Sequence, residues 1–188
     1  MEATDILMAE HRIIERVLKS LVVEAEKLEH GEAIRPGFFI DASDFIKGFA
    51  DGCHHKKEEG VLFKAMIANG MSSQAGPIAI MMAEHERGRE FTRAMRGSAL
   101  RLETGDAAAK DEVLVSVRGY VALLSQHIAK EDGVLFPLAN SVIPVSQHDQ
   151  LVNDFERVEH EETGEGIHEK YLTLAQALEK EAGSQLDV

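Results

Sequence analysis

The stretch HHKKEEGVLF, residues 54–63, returns as HIAKEDGVLF, residues 127–136. In each copy a His and a Glu stand four apart, and Gly-Val-Leu-Phe begins two residues after the Glu. Four residues make about one turn of an α-helix, so His54 and Glu58 share a face, as do His127 and Glu131. A second repeat precedes each copy: MAEH occupies residues 8–11 and 82–85. His11 stands 43 residues before His54, and His85 stands 42 before His127. The repeating unit is therefore a helix with one His followed by a helix with His-x3-Glu. Two such hairpins related by an approximate two-fold bring four imidazoles and two carboxylates to one level.

The rest of the chain supports an all-α reading. Only four prolines, no Trp and abundant Ala, Leu, Glu, Met and Lys favour helix. A first helix is expected from a Thr4 or Asp5 cap to about His30, and a second from Pro36 at its first position to Asn69-Gly70. Gly76-Pro77 opens a third that ends near Thr104-Gly105. Asp106 caps a fourth that runs to about Asn140 and bends near Pro137. Four long helices with short links predict an antiparallel up-down four-helix bundle over residues 1–140. Residues 141–188 are expected to form a helical extension packed on that bundle. It starts at a Ser146-Gln147-His148-Asp149 cap, is interrupted at Gly164 and Gly166, and frays at its last few residues.

The paired residues point inward. Leu114, Val117, Val121, Leu124, Ile128 and Leu135 recur at three-and-four spacing beside His127 and Glu131. Ile46, Phe49, Cys53, Val61 and Leu62 bracket His54 and Glu58 in the same way, and Leu7, Ile14 and Leu18 share the face of His11. A lone His-x3-Glu is usually an exposed pair contributing a few tenths of a kcal/mol. Six residues duplicated at matching spacing are better explained as ligands, because a buried His or Glu without a partner is costly. Imidazoles with carboxylates suit Fe, Mn, Zn or Co rather than Mg or Ca. Two Glu among four His can bridge a pair of cations.

Other candidates carry less. Aligning the two GVLF runs sets His54, not His55, opposite His127, so His55 is expected on the outer face with Glu59. His30 and His148 read as helix-terminus residues, and Cys53 as a small buried apolar group. His160, His168 and Tyr171 on the extension, and Tyr120 two turns before His127, are each candidates for an added ligand or a supporting donor.

A net charge of −13 excludes a nucleic-acid partner and an anionic membrane surface. The single cysteine allows no internal disulfide, and no apolar run is long enough to span a membrane. With no basic start followed by an apolar core, no signal peptide is expected, and the cytoplasm is the simplest location.

The segments EHRIIERVL, HHKKEEGVLF, EHERGREF and HIAKEDGVLFPLA resemble the hemerythrin-like (HHE cation-binding) family over roughly residues 3–140. The resemblance implies a four-helix bundle around a non-haem di-iron centre, oxo- or hydroxo-bridged, that binds dioxygen or a related small oxidant. It implies His11, His54, His85 and His127 as terminal ligands, with Glu58 and Glu131 as bridging carboxylates. Oxygen-carrying members place two His at H-x3-H on the third helix, whereas Met81 and Arg89 flank His85 here. The fifth imidazole is thus missing or comes from elsewhere, which points to roles with peroxide, nitric oxide or iron. The leading expectation is a di-iron protein that binds or reduces O2, H2O2 or NO, as a monomer or homo-dimer. An iron-responsive sensing module without turnover is the alternative, and a structural zinc bundle is a third reading.

Overall fold

The structure, a computed structural model, describes residues 2–164 and 166–184, and for residues 161–163 the backbone alone. The expected fraying concerns residues 185–188, which lie outside the described residues. Eight α-helices follow in order: α1 (Ala3–His30), α2 (Gly37–Phe45), α3 (Phe63–Ala68), α4 (Pro77–Glu103), α5 (Ala109–Lys130), α6 (Phe136–Val142), α7 (Val145–Arg157) and α8 (Ile167–Ala182). Wider turns with i→i+5 bonding, Ile46–His55 and Glu58–Leu62, join α2 to α3 into one rod over residues 37–68. Glu131–Leu135 likewise joins α5 to α6. Among the described residues there is no strand, and no helix is long and apolar enough to cross a membrane.

Side-chain pairs define how these rods sit. Thr4 meets Asn140, His11 meets Asp132, and Glu29 meets Arg118, so α1 runs opposite to the 109–142 rod. Glu59 meets His85, Asp51 meets Arg89 and Asp44 meets Arg96, which sets α4 opposite to the 37–68 rod. The pairs Glu84–His127 and Glu112–Arg101 do the same for α4 and α5.

Several helix ends differ from expectation by a residue or two. Helix α1 begins at Ala3; Asp5 Oδ2 accepts the Glu2 N–H at 2.9 Å, while the Thr4 hydroxyl donates to Asn140. Pro36 occupies the cap position rather than the first turn of α2. Asp106 accepts the Ala108 N–H at 3.1 Å, two residues ahead of the expected role, and α5 starts at Ala109. Ser146 makes no cap: extended Pro144 delivers the chain straight into α7 at Val145. The 109–142 rod changes its winding at Glu131, six residues before Pro137. Because the matching Glu58–Leu62 turn has Lys64 where Pro137 stands, proline is not the cause.

The core falls into two apolar clusters. One gathers Ile14, Val17, Leu21, Phe45, Phe49, Val117, Tyr120 and Leu124, with Leu178 of α8. The other gathers Ala3, Leu7, Leu62, Phe63, Met81, Leu135 and Phe136, with Leu151 and Phe155 of α7. Along α1 the order is Leu7, His11, Ile14, so a polar layer separates the two clusters. Residues 145–182 cover the first half of the chain. Arg16 holds Glu179 through two bonds of 2.5 and 2.6 Å, and the Tyr171 ring lies so close over Gly48 that a Cβ there would fall 1.8 Å from it.

Candidate metal centre

The polar layer contains His11, His54, Glu58, His85, His127 and Glu131, each at most 1% exposed. Two groups form within it. His11, His54, Glu58 and Glu131 each bring one ligand atom to within 4.8 Å of the others, and so do His55, Glu58, His85 and His127. Glu58 belongs to both. Its two oxygens lie 3.4 Å from His54 Nε2 and 3.4 Å from His85 Nε2. The oxygens of Glu131 lie 3.2 Å from His11 Nε2 and 3.2 Å from His127 Nε2. Each carboxylate therefore spans the two groups, one oxygen to each.

The other face of every imidazole is held by a carboxylate. His11 Nδ1 bonds Asp132 at 2.7 Å, His54 Nδ1 bonds Glu10 at 2.9 Å, His85 Nδ1 bonds Glu59 at 2.7 Å and His127 Nδ1 bonds Glu84 at 2.9 Å. His55 Nδ1 meets Asp51 at 3.4 Å. Carboxylates on Nδ1 fix the ring so that Nε2 faces inward with its lone pair available, the arrangement that supports a metal-bound His.

These residues fit a metal. His11 Nε2 and both oxygens of Glu58 and of Glu131 are buried without a hydrogen-bond partner. An unmet buried polar atom costs about 1–3 kcal/mol, and five facing one another need cations to answer them. Burial and mutual contact shift the titration of these groups in both directions. Burial and then the Glu131 charge push Glu58 well above the usual carboxylate range. Glu131 is held low, because contacts with His11 and His127 outweigh its burial. Burial takes His54 down to about 4 and His55 well below the ordinary value, leaving both neutral as ligands must be. His11 is raised to about 9: burial opposes its charge, but Asp132 and Glu131 prevail.

Residues 2–139 match the model of the hemerythrin HHE cation binding domain. The chain belongs to that family. Among relatives, "Uncharacterized protein Rv1995" of Mycobacterium tuberculosis is 23% identical over 185 residues, covering 96% of this chain and 70% of its own. "Iron-sulfur cluster repair protein YtfE" of Escherichia coli is 29% identical over 127 residues, 65% of this chain and 57% of that protein. No solved structure matches the chain significantly. As a hemerythrin HHE domain the chain is a metal-binding protein of an iron-binding family, and its His/Glu cluster fits a metal site.

His55 corrects the outer-face expectation: it is 4% exposed and stacks on His85 with ring centroids 3.8 Å apart. Adjacent residues on an α-helix diverge by about 100°, which is why the alignment kept only His54 inside. The Ile46–His55 segment is wound more widely, and both imidazoles turn inward. Asp51, which holds His55, stands one turn before it on the same rod, whereas the other four supporting acids reach their imidazoles from a different helix. The other supporting acids, Glu10, Glu59, Glu84 and Asp132, each adjoin a predicted ligand in the sequence and repeat with it. Glu59 is thus no bystander. On the extension, His160 is exposed, His168 lies 3.9 Å from Glu159, and Tyr171 packs on Phe45; none of the three enters either group. Tyr120 is fully buried in the core, outside both groups. A third set, Glu10, Glu159 and His168, is already bridged by Lys57, whose ammonium donates to Glu10 at 2.5 Å and Glu159 at 2.8 Å.

Proposed function

We propose that this chain is a non-haem di-iron protein that binds or reduces a small oxidant, O2, H2O2 or NO, within an antiparallel four-helix bundle over residues 1–140. The observation that carries the reading is the set of buried, unpartnered Glu58 and Glu131 oxygens directed at inward Nε2 atoms. His11 and His54 would hold one ion and His55, His85 and His127 the other, with Glu58 and Glu131 reaching both. Iron held there would supply one- and two-electron redox chemistry. The protein's own part is geometry and dryness. Five carboxylates aim the imidazoles, and two apolar clusters above and below the layer exclude water. The His11–His54 side offers two imidazoles and the other side three, so a small ligand would find fewer protein donors at the first. Helices α7 and α8 pack over α1 and the 37–68 rod and shield that side of the centre. The partner is a small diatomic or peroxide molecule, and the setting is cytoplasmic.

The Escherichia coli relative named for iron-sulfur cluster repair supports an iron-related role; the present chain spans 57% of it, and the repair activity is not carried over. The alternative of a metal-responsive module draws support from the same unmet buried atoms, since they make the fold more stable with metal than without.

Metal analysis of protein purified from iron-replete cells tests the reading. About two irons per chain are expected, with near-UV and visible absorption that changes on adding peroxide or NO. Zinc in place of iron, or a single ion, would overturn it. Two irons whose spectrum ignores all three oxidants would favour the metal-responsive module.

A further inference from the structure

A cavity of about 250 Å³ lies beside the centre, and His55 forms part of its wall. Its charge is opposite to that of the chain as a whole. Lys47, Arg89, Arg93 and Arg96 line it, against the single carboxylate of Asp51, in a protein of net charge −13. Asp51 is already committed: Arg89 reaches it through Nε at 2.8 Å and Nη2 at 2.7 Å. Arg93 and Arg96 are held from outside the wall, by Glu86 at 3.3 Å and Asp44 at 2.5 Å, each through one terminal nitrogen. A guanidinium has five N–H donors, so both forks retain donors for a guest.

The wall also holds Tyr120, which is 1% exposed. Its hydroxyl is buried and has no hydrogen-bond partner among the described residues. A phenol placed this deep normally finds one, because an unmet hydroxyl is costly. None of Lys47, Arg93, Arg96 or Tyr120 belongs to either metal-ligating group. The volume exceeds that of one water, roughly 30 Å³, by enough for a small ion with companion waters.

We propose that this cavity is a binding site for a small oxyanion, with the Tyr120 hydroxyl as the donor that fixes it and Arg93 and Arg96 as the charges that draw it in. Planar oxygen pairs suit guanidinium forks, and the hydroxyl supplies a buried donor that has no partner of its own. Binding here uses no metal ligand, so it stands or falls separately from the di-iron reading.

Calorimetric titration of full-length protein, both metal-loaded and metal-free, with sodium nitrite as the probe tests this. Saturable binding is expected in both forms, with little or none for uncharged nitromethane. Tyr120→Phe and the pair Arg93→Glu/Arg96→Glu should each weaken nitrite by roughly tenfold or more, the scale of a hydrogen bond to a charged group. Tyr120→Phe removes no intramolecular bond, so its Tm should equal or exceed that of the parent, which separates lost binding from lost folding. No nitrite binding, binding untouched by both variants, or equal binding of nitromethane would overturn the proposal. Nitrite that binds only when metal is present, and equally in Tyr120→Phe, would place it on the metal instead. Tyr120-dependent binding in a protein that takes up no iron would refute the di-iron reading and leave the cavity assignment standing.

Discussion

The two halves of the repeat, residues 8–63 and 82–136, agree in more than their ligands. In the first, Glu10 holds His54 and accepts from Lys57; in the second, Glu84 holds His127 and accepts from Lys130. Across the halves, Asp132 holds His11 as Glu59 holds His85. The i→i+5 turn begins at Glu58 in one half and at Glu131 in the other. Two differences bear most on the centre. His55 of the first half faces Ile128 of the second in the alignment, and Lys57, 1% exposed, corresponds to Lys130, 41% exposed. Both differences fall in the half that residues 145–182 cover. The lesson is that duplication built the shared scaffold of the centre, while one added imidazole and one added layer made its two sides unequal.

Breaking the shared part should have the largest effect. Changing either Glu58 or Glu131 to Ala removes a carboxylate that spans both groups, so bound metal should fall from about two ions to one or none, read by metal analysis of purified protein. Full retention by both variants would end the bridging assignment.

Removing the asymmetry comes next. His55→Ile gives the first half the residue that the second half carries. The three-imidazole group loses a donor, and its metal affinity should drop at least ~10–100-fold, the loss that follows even from removing an outer partner. Competition with a chelator measures this, and an unchanged affinity would return His55 to a packing role.

The paired lysines give the smallest contrast. Lys57→Ala strands buried Glu10 and should cost roughly 3–5 kcal/mol in urea unfolding. Lys130→Ala breaks an exposed pair and should cost at most about 1 kcal/mol. Equal losses would mean that the extension's Glu159–Lys57 contact does nothing for the first half.

Much of the centre was legible because it was written twice. His11, His54, Glu58, His85, His127 and Glu131 lie at spacings that an ordinary α-helix turns to one side, so period and repetition pointed to one buried layer, and the six side chains do gather there. Glu10 and Glu84 stood in the repeated MAEH, and Glu59 and Asp132 beside the bridging residues, but a sequence does not say which face of a neighbouring helix an acid reaches. His55 was misplaced because its inward turn depends on a widened winding, and no local propensity encodes that. The widened segment is where the 37–68 rod also meets α4 and α8, with Tyr171 against Gly48.

The sequence by itself determined the helices and the family, and it singled out the six repeated His and Glu residues, since each rests on a period of about 3.6 residues or on direct self-similarity. The tertiary structure decided which acid holds which imidazole, that His55 faces the centre, and that Tyr120, with four cations and Asp51, walls a cavity. Most of those outcomes depend on distances between side chains 26 to 121 residues apart, as in His85 with Glu59 or His11 with Asp132. Such distances are set by how the rods pack, and the order of residues along any one of them does not contain that information.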